Sequence, residues 1–399
     1  MSVELCEMAM QQTQELLRLT ETTLQEICCR KFSDGELYAE ALRKVLGGKG
    51  KRGATCIFIV FQDLKHGVAR GRVFHLIQQE LVEGSEEVVI DPHSGYGVDL
   101  ALTEARSDTV TVNWDERCAT VEAFQQHFPP EVRKYVEGTI HNFVTCRISG
   151  EIPGVITAFN YPGSATPYDG SVLHGLAVVI GSLVTLSSEM RETEHAFIYT
   201  IEALARACEA AEEQTGTHIL RVNRYAGALA ANVGLPAEFV EVISYSAQMH
   251  DVGKIKIPVA ILLKEGPLDG AEMELMKMHP VFGERILGDS HRLKIAREIA
   301  IAHHENWDGS GYPFGLRGEQ IPLAGRIVKI ADVYDALRSQ RSYKRAYSHA
   351  DAVRVFREGD ERIVPRDHFD PALLATFFRI EHMFAGIYES MSAESAEGP

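Results

Sequence analysis

The hydrophobic pattern of this 399-residue chain changes near Leu186, and this change constrains the fold more than any other feature. Before Leu186, short β-branched or aromatic runs bounded by turn residues predict strands. After it, apolar residues recur at helical spacing almost to the end of the chain. A chain of this length exceeds one ordinary hydrophobic core, so we expect two domains, residues 1–186 and 187–399. The predicted strands are ATCIFIVF, EEVVIDP, TVTVN, NFVTCRIS and GVITAFNYPGS, the last two joined through GEIPG as a hairpin.

Three helical stretches complete this division. Apolar spacing from Leu5 to Ile27 predicts an opening helix, and the apolar run 172–186 predicts a helix that faces the core. Residues 187–214 predict a long linker helix between a sensing and an output domain. Its apolar stripe is predicted to contain Phe197, Ile201, Leu204 and Cys208. The predicted fold class is therefore α+β overall, with an N-terminal α/β domain, a connecting helix and an all-α C-terminal domain, and with a disordered tail from Met391.

Composition excludes some classes of function. A formal net charge of -16 argues against a protein that coats nucleic acid, which needs a basic face. The apolar run 172–186 is too short to span a bilayer and contains His174, and Glu4 and Glu7 stand where a signal peptide would be basic and then apolar. The seven cysteines lack CxxC spacing, which favours reduced thiols. We therefore expect a cytoplasmic protein without a membrane span.

The stretch HHENWDGSGYP, residues 303–313, holds more ionisable chemistry than a turn requires. Other residues able to bind metals occur on both sides of it, and together they form a set of N and O donors suited to iron or manganese. Singly, each has a plain alternative: an HD dipeptide also caps a helix end, and a histidine before proline also occurs at an exposed helix start. The candidate ligands are His218, His250, Asp251, His279, His303, His304 and Asp332.

Local sequence predicts where some of these residues lie. His279 precedes Pro280, which disfavours helical geometry in the residue before it, so a helix boundary is expected there. His303 and His304 follow an apolar segment, and neighbouring residues on a helix diverge by about 100°. Both histidines therefore reach one site only if the helix ends at that point. Asp332 lies mid-helix on a semi-apolar face, which is unfavourable unless the carboxylate is paired or bound to a metal.

The order H…HD…H…HH…D, with HHENWDGSGYP and GLRGEQIPLAGRIVKIADVYDALRSQRSYK, resembles the HD-GYP family over about residues 201–387. This resemblance implies an all-helical bundle with a binuclear or trinuclear metal centre, and phosphodiesterase activity on cyclic dinucleotides, chiefly cyclic di-GMP. It implies that Asp251 bridges two metals. One would be held by His218, His250 and Asp332, and the other by His279, His303 and His304.

One position departs from the family pattern. Some members carry a glutamate four residues before the first ligand histidine and use it for a third metal. Gln214 occupies that position here, so we expect two metal ions. Iron is the preferred metal and manganese the alternative. Glu213 is an alternative ligand for a third ion.

The resemblance also implies roles in hydrolysis. Two metals about 3.5–4 Å apart lower the pKa of a shared water and clamp the phosphate oxygens, so no separate protein base is required. Asp251 and Lys254 are the predicted catalytic residues, and the predicted substrate contacts are Lys254, Tyr312, Arg341 and Lys344. Glu305 and Asp308 are expected to shape the loop rather than to bind metal. The expected products are pGpG, GMP or both.

The stretch from Gly154 to Leu186 resembles the end of a GAF domain, with a PAS-like or unrelated α/β domain as alternatives. By analogy, we expect a homodimer through this domain and the 187–214 helix, and a diguanylate cyclase as a partner of the GYP loop. Three rival functions stay open: a non-catalytic nucleotide receptor, a di-iron oxygenase, and hydrolysis of 3′,3′-cyclic GMP-AMP.

Overall fold

The computed structural model describes Leu42 and residues 53–63, 65–77, 80–90, 107–136, 138–209, 217–339 and 346–396. The chain divides into two compact units, Met1–Thr193 and Glu194–Pro399. The predicted opening helix, Gln214, Arg341 and Lys344 lie outside the described residues.

The first unit is built on one antiparallel sheet. Its strands run in the order β3-β2-β1-β7-β6-β5, and β4 pairs with β2. Every described pairing is antiparallel, so the term α/β, in the sense of a parallel sheet, does not fit this unit. The strands are β1 Cys56–Asp63, β2 Val68–Ile77, β3 Glu80–Glu83, β4 Val88–Ile90, β5 Thr109–Asn113, β6 Asn142–Ile148 and β7 Gly154–Phe159.

Both faces of β1 are covered. Side chains alternate between the faces of a strand, so Ile57 and Ile59 point to one side and Phe58 and Val60 to the other. The first pair packs against the long helix α4 (Pro167–Glu209), and the second pair packs against short helices before β6. These short helices are α1 Trp114–Arg117, α2 Val121–Gln125 and α3 Pro130–Tyr135.

All five predicted strands are confirmed, whereas β2 and β3 were not anticipated. The β2 sequence VARGRVFHLI shows no clean polar–apolar alternation. Its Arg70 and Arg72 are placed by ion pairs with Glu87 and Glu83, which lie further along the chain. The expected GEIPG connection is the turn between β6 and β7, in which Ile148 pairs with Gly154.

The helices predicted over 172–186 and 187–214 are one continuous helix, α4, of 43 residues. Its predicted stripe is partly wrong: Ile201 and Cys208 are buried, but Leu204 is 41% exposed and Ala205 is buried instead. By length and composition alone, the stretch Pro167–Cys208 is apolar enough to cross a membrane. Half of its most apolar window is buried in the protein, which is also typical of a core helix.

The described part of the second unit is helical. Buried side chains on α5, among them Val222, Ala226 and Leu229, recur at helical spacing and pack with residues of α11 and α14. The predicted disordered tail is wrong for residues 391–396, which continue α14. The α-helices are α5 Thr217–Val233, α6 Ala237–Ser246, α7 Val259–Leu262, α8 Gly270–Met276, α9 His279–Leu287, α10 Lys294–Ala302, α11 Leu323–Arg338, α12 His349–Glu358, α13 Pro365–His368 and α14 Pro371–Ala396.

Candidate metal centre

The HD dipeptide lies where a helix tightens and ends. Helix α6 stops at Ser246, one 3₁₀ turn follows, and His250 comes directly after that turn. The Nδ1 atom of His250 donates to the carbonyl oxygen of Ala247 at 2.9 Å. This bond fixes the imidazole ring, and Asp251 is then carried to the start of the next 3₁₀ turn, Val252–Lys256.

Two further histidines are oriented in the same way at helix ends. Helix α9 begins at His279, whose Nδ1 donates to the carbonyl of Met276 at 2.8 Å. His303 follows the last residue of α10, and its Nδ1 donates to the carbonyl of Ala300 at 3.1 Å. A carbonyl oxygen only accepts, so Nδ1 carries a hydrogen in each ring, and Nε2 has a lone pair when the ring is neutral.

His218 is oriented by a carboxylate instead of a carbonyl. Its Nδ1 donates to Asp335 at 2.8 Å, and Asp335 is fully buried on α11. Both oxygens of Asp335 also accept from the guanidinium of Arg221, at 2.6 and 2.8 Å. Nη1 of Arg221 also donates to Thr217 and Nη2 to Ser339, so each guanidinium nitrogen of this buried pair has a hydrogen-bond partner.

The carboxylate of Asp251 lies between two groups of imidazoles. Its Oδ2 is 3.2 Å from Nε2 of His250, and its Oδ1 is 3.2 Å from Nε2 of His279 and 3.6 Å from Nε2 of His303. Ligand atoms of Asp251, His279, His303 and His304 all lie within 4.8 Å of one another, as do those of His218, His250 and Asp251. Asp251 is therefore common to both groups.

Asp332 faces the group that contains His218 and His250. Its Oδ1 is 3.8 Å from Nε2 of each of these histidines. The structure thus brings together all seven side chains that the sequence predicted as ligands.

The geometry fits cations at this centre. The Nε2 atoms of His279 and His303 are 3.3 Å apart, and both rings already donate through Nδ1, so two lone pairs face each other. In the described part of the chain, Nε2 of His250 and Oδ1 of Asp251 are buried without a hydrogen bond. Buried acceptors left in this state are costly unless a cation binds them. Imidazole and carboxylate donors together suit divalent transition metals.

Comparison with known proteins agrees with this geometry. Residues 200–373 match the family model of the HD domain. This part of the chain is similar to an HD domain. A cyclic di-GMP phosphodiesterase of Vibrio cholerae is 42% identical over 224 residues, which cover 52% of this chain and 44% of that protein. The cyclic di-GMP phosphodiesterase response regulator RpfG of Xanthomonas campestris is 39% identical over 213 residues, covering 53% of this chain and 55% of that protein.

A third relative differs in its named substrate. The 3′3′-cGAMP-specific phosphodiesterase 2 of Vibrio cholerae is 45% identical over 163 residues, which cover 40% of this chain and 31% of that protein. The chain thus spans about half the length, or less, of these curated relatives.

Burial and neighbouring charges shift the pKa values of these histidines in opposite directions. Burial alone lowers the pKa of His250, but the carboxylates of Asp251 and Asp332 outweigh it and raise that pKa to about 9. Burial lowers the pKa of His303 to about 4. Burial and the neighbouring His303 hold the pKa of His304 well below its usual value. Neutral imidazole is the form that binds metal, so His303 and His304 are ready for a cation, whereas His250 must first lose its proton.

Two glycines bring the ligand-bearing segments together. A Cβ on Gly253 would lie 1.9 Å from the carbonyl oxygen of His279, so the 3₁₀ turn after Asp251 touches the backbone of α9. A Cβ on Gly325 would lie 2.9 Å from Cβ of Ala302, so α11 also lies very close to the end of α10. These contacts set the spacing between Asp251 and His279, and between Asp332 and His303.

Of the predicted substrate contacts, two lie within the described residues. The Nζ atom of Lys254 is 2.8 Å from Oδ2 of Asp251. The ring of Tyr312 stacks on His304, with centroids 4.6 Å apart and 24° between the planes. Sequence reasoning missed Arg221, which is three residues after His218, and the role of Asp335, which is three residues after Asp332. It also missed the buried Lys329 on α11. A charged residue on an apolar helix face was the available signal for each.

Gly253→Ala tests the close approach of the HD turn to α9. The added methyl meets backbone atoms that cannot rotate away, so the two segments must separate and Asp251 must move from His279. We expect a loss of about 1–3 kcal/mol in the free energy of unfolding, with loss of bound metal. Gly270→Ala is the matched control, because nothing lies within 4 Å of its added Cβ. Equal metal content and stability in the two variants would contradict the argument.

Asp335→Asn tests the buried pair behind His218. The amide leaves Arg221 without a counter-charge, so we expect urea denaturation to show a loss of about 3–5 kcal/mol at pH 7. Burial raises the pKa of Asp335, but Arg221 and His218 outweigh this and lower it to about 2. A depressed pKa stabilises the fold fully above about pH 4 and less as pH falls toward 2, so the difference from wild type should narrow over that range. The double variant Arg221→Met/Asp335→Leu should recover most of the loss at pH 7.

Proposed function

We propose that the HD domain hydrolyses the 3′-5′ phosphodiester bonds of cyclic di-GMP, giving pGpG, GMP or both, with bound divalent metals. One observation carries the proposal: six imidazole and carboxylate side chains surround Asp251, with the ammonium group of Lys254 at their edge. Relatives that share this HD domain are named as cyclic di-GMP phosphodiesterases, which supports the same substrate class.

The proposed ligand assignment uses two ions. His218, His250 and Asp332 hold the first, and His279, His303 and His304 hold the second. Asp251 bridges them through its two oxygens, which face different groups. Iron is the preferred metal, with manganese as the alternative, because both accept mixed nitrogen and oxygen ligands.

When bound, such ions polarise the phosphate oxygens and lower the pKa of a water molecule enough for it to attack phosphorus near neutral pH. The chain's own residues supply the negative charge of Asp251 and the orientation of the histidine rings. Burial raises the pKa of Asp251, but Lys254 and His250 hold it well below the usual value, so this carboxylate stays ionised. Asp335 and the backbone carbonyls keep the Nε2 atoms of their histidines directed at the centre.

Lys254 is the proposed partner of the phosphate. Its side chain is partly exposed, with Nζ directed at Asp251, so it lies at the open side of the centre. There its ammonium stabilises negative charge as the P–O3′ bond breaks, and it can donate a proton to the departing O3′. Arg341 and Lys344 are proposed to hold the phosphate and Tyr312 a ribose or base. A local cationic group is needed because the whole chain carries a formal charge of -16.

3′,3′-Cyclic GMP-AMP is the second candidate substrate, and a specific observation favours it. The relative with 45% identity over 163 residues is named as specific for that nucleotide. Product chromatography with both cyclic dinucleotides separates the candidates. If a metal-loaded protein cleaves neither nucleotide but binds one, the chain is a receptor.

The first unit is proposed to be a GAF-like regulatory domain. A six-strand antiparallel path covered on one face by α4 and on the other by short helices supports this assignment. A homodimer, a diguanylate cyclase partner at the GYP loop and a cytoplasmic location belong to the same proposal. The free thiols of Cys118 and Cys146 are in keeping with a reducing compartment.

Asp251→Ala tests the shared carboxylate. The substitution removes the carboxylate common to both imidazole groups, so we expect metal content to fall to near zero. Hydrolysis of cyclic di-GMP should fall at least a thousandfold, which is about 4 kcal/mol in the activation free energy. Far-UV circular dichroism should stay helical. Elemental analysis and product chromatography measure both effects. Full hydrolysis by this variant after metal depletion would refute the proposal.

Lys254→Ala tests the ammonium group. We expect metal content close to that of wild type and a kcat lower by about 10²-fold to 10³-fold, the usual cost of removing one group that stabilises a transition-state charge. Lys256→Ala is the control, because Lys256 is exposed on the same short helix. If kcat is the same in both variants, Lys254 has no catalytic role.

A further inference from the structure

The loop after His304 is closed by one buried glutamate. Glu305 is fully buried, and its Oε1 and Oε2 accept the backbone N–H groups of Phe314 at 2.8 Å and Leu316 at 3.0 Å. These donors lie nine and eleven residues further along the chain. One side chain therefore joins the two ends of the loop 305–316.

Closure of this loop determines where Tyr312 lies. The backbone N–H of Tyr312 donates to the carbonyl oxygen of His304 at 3.3 Å, and its ring stacks on the imidazole of His304. Gly311 makes this return possible, because a Cβ there would lie 2.3 Å from the backbone nitrogen of Asn306. The loop thus folds directly back over the histidine that precedes it.

A buried lysine lies close to the closed loop. Lys329 is 9% exposed and precedes Asp332 by three residues, so both occupy one face of α11. Burial lowers the pKa of Lys329 to about 8, and the carboxylates of Asp332, Glu305 and Asp308 act in the opposite direction.

We propose that Glu305 is a positioning residue that locks the loop 305–316 and so holds Tyr312 against His304. Among the described residues, His304 is the histidine ligand whose ring nitrogens make no hydrogen bond. The aromatic face of Tyr312 takes the orienting role that carbonyls and Asp335 play for the other histidines. This inference rests on the proposed metal centre, and it gives Tyr312 a role in holding a metal ligand in addition to its proposed contact with a ribose or base.

The chemistry requires a carboxylate at position 305. Two N–H donors reach two different oxygens, and an ionised carboxylate accepts at both. An amide accepts at one oxygen only and places its NH₂ group against the second N–H. Glu305→Gln therefore keeps the size of the side chain while releasing one end of the loop.

The test measures metal retention by the full-length protein in the absence of nucleotide. Wild type, Glu305→Gln and Glu319→Gln are loaded with Mn²⁺, and release to a chelator is followed by stopped flow. Glu319 is exposed in the same region, so its variant is the matched control. We expect one of the metal ions to leave Glu305→Gln at least tenfold faster than wild type, with kcat reduced and KM little changed. Equal release rates in all three proteins would overturn the proposal.

Tyr312 variants give a second measurement that does not depend on the folding of Glu305→Gln. Tyr312→Phe keeps the ring stacked on His304 and should retain metal like wild type, whereas Tyr312→Leu should release it as fast as Glu305→Gln. If Tyr312→Leu keeps its metal and only raises KM, Tyr312 contacts the nucleotide and the proposal is wrong. Hydrolysis by wild type is measured separately, so a protein that holds metal without cleaving cyclic dinucleotides refutes the proposed function and leaves the positioning role standing.

Discussion

The carboxylate of Asp251 lies between two groups of imidazoles, and the rest of the second unit keeps that contact in place. One oxygen faces His250 and the other faces His279 and His303, at distances of 3.2 to 3.6 Å. Such a cluster of nitrogen lone pairs and negative oxygens is unfavourable in a protein interior unless cations neutralise it. The fold therefore has to hold these groups together against their own repulsion.

Four features of the fold accomplish this. Helix ends supply carbonyls that orient His250, His279 and His303, and a buried charge pair orients His218. Gly253 and Gly325 allow neighbouring segments to approach at backbone distance. The apolar packing of α5, α11 and α14 provides the rigid frame on which these contacts depend. The chemistry thus depends on where helices stop as much as on which residues they carry.

Sequence patterns predicted much of this arrangement, because spacing and helix-end signals are local. Pro280 indicated a break or kink at His279, and a helix begins there. Gly309 and Gly311 indicated that the helix before His303 ends there, and it ends at Ala302. The seven candidate ligands lie together, although their role as ligands stays a prediction. The sequence did not predict β2, whose exposed arginines pair across the sheet, or the burial of Ala205 in place of Leu204. These features depend on tertiary partners that no local pattern contains.

Anomalous X-ray diffraction from crystals of anaerobically purified, iron-loaded protein would test the central claim most directly. The account predicts two anomalous peaks, one on each side of the Asp251 carboxylate, with the first bound by His218, His250 and Asp332 and the second by His279, His303 and His304. A metal-replete crystal with no peak beside Asp251, or with these side chains turned away from the peaks, would contradict it.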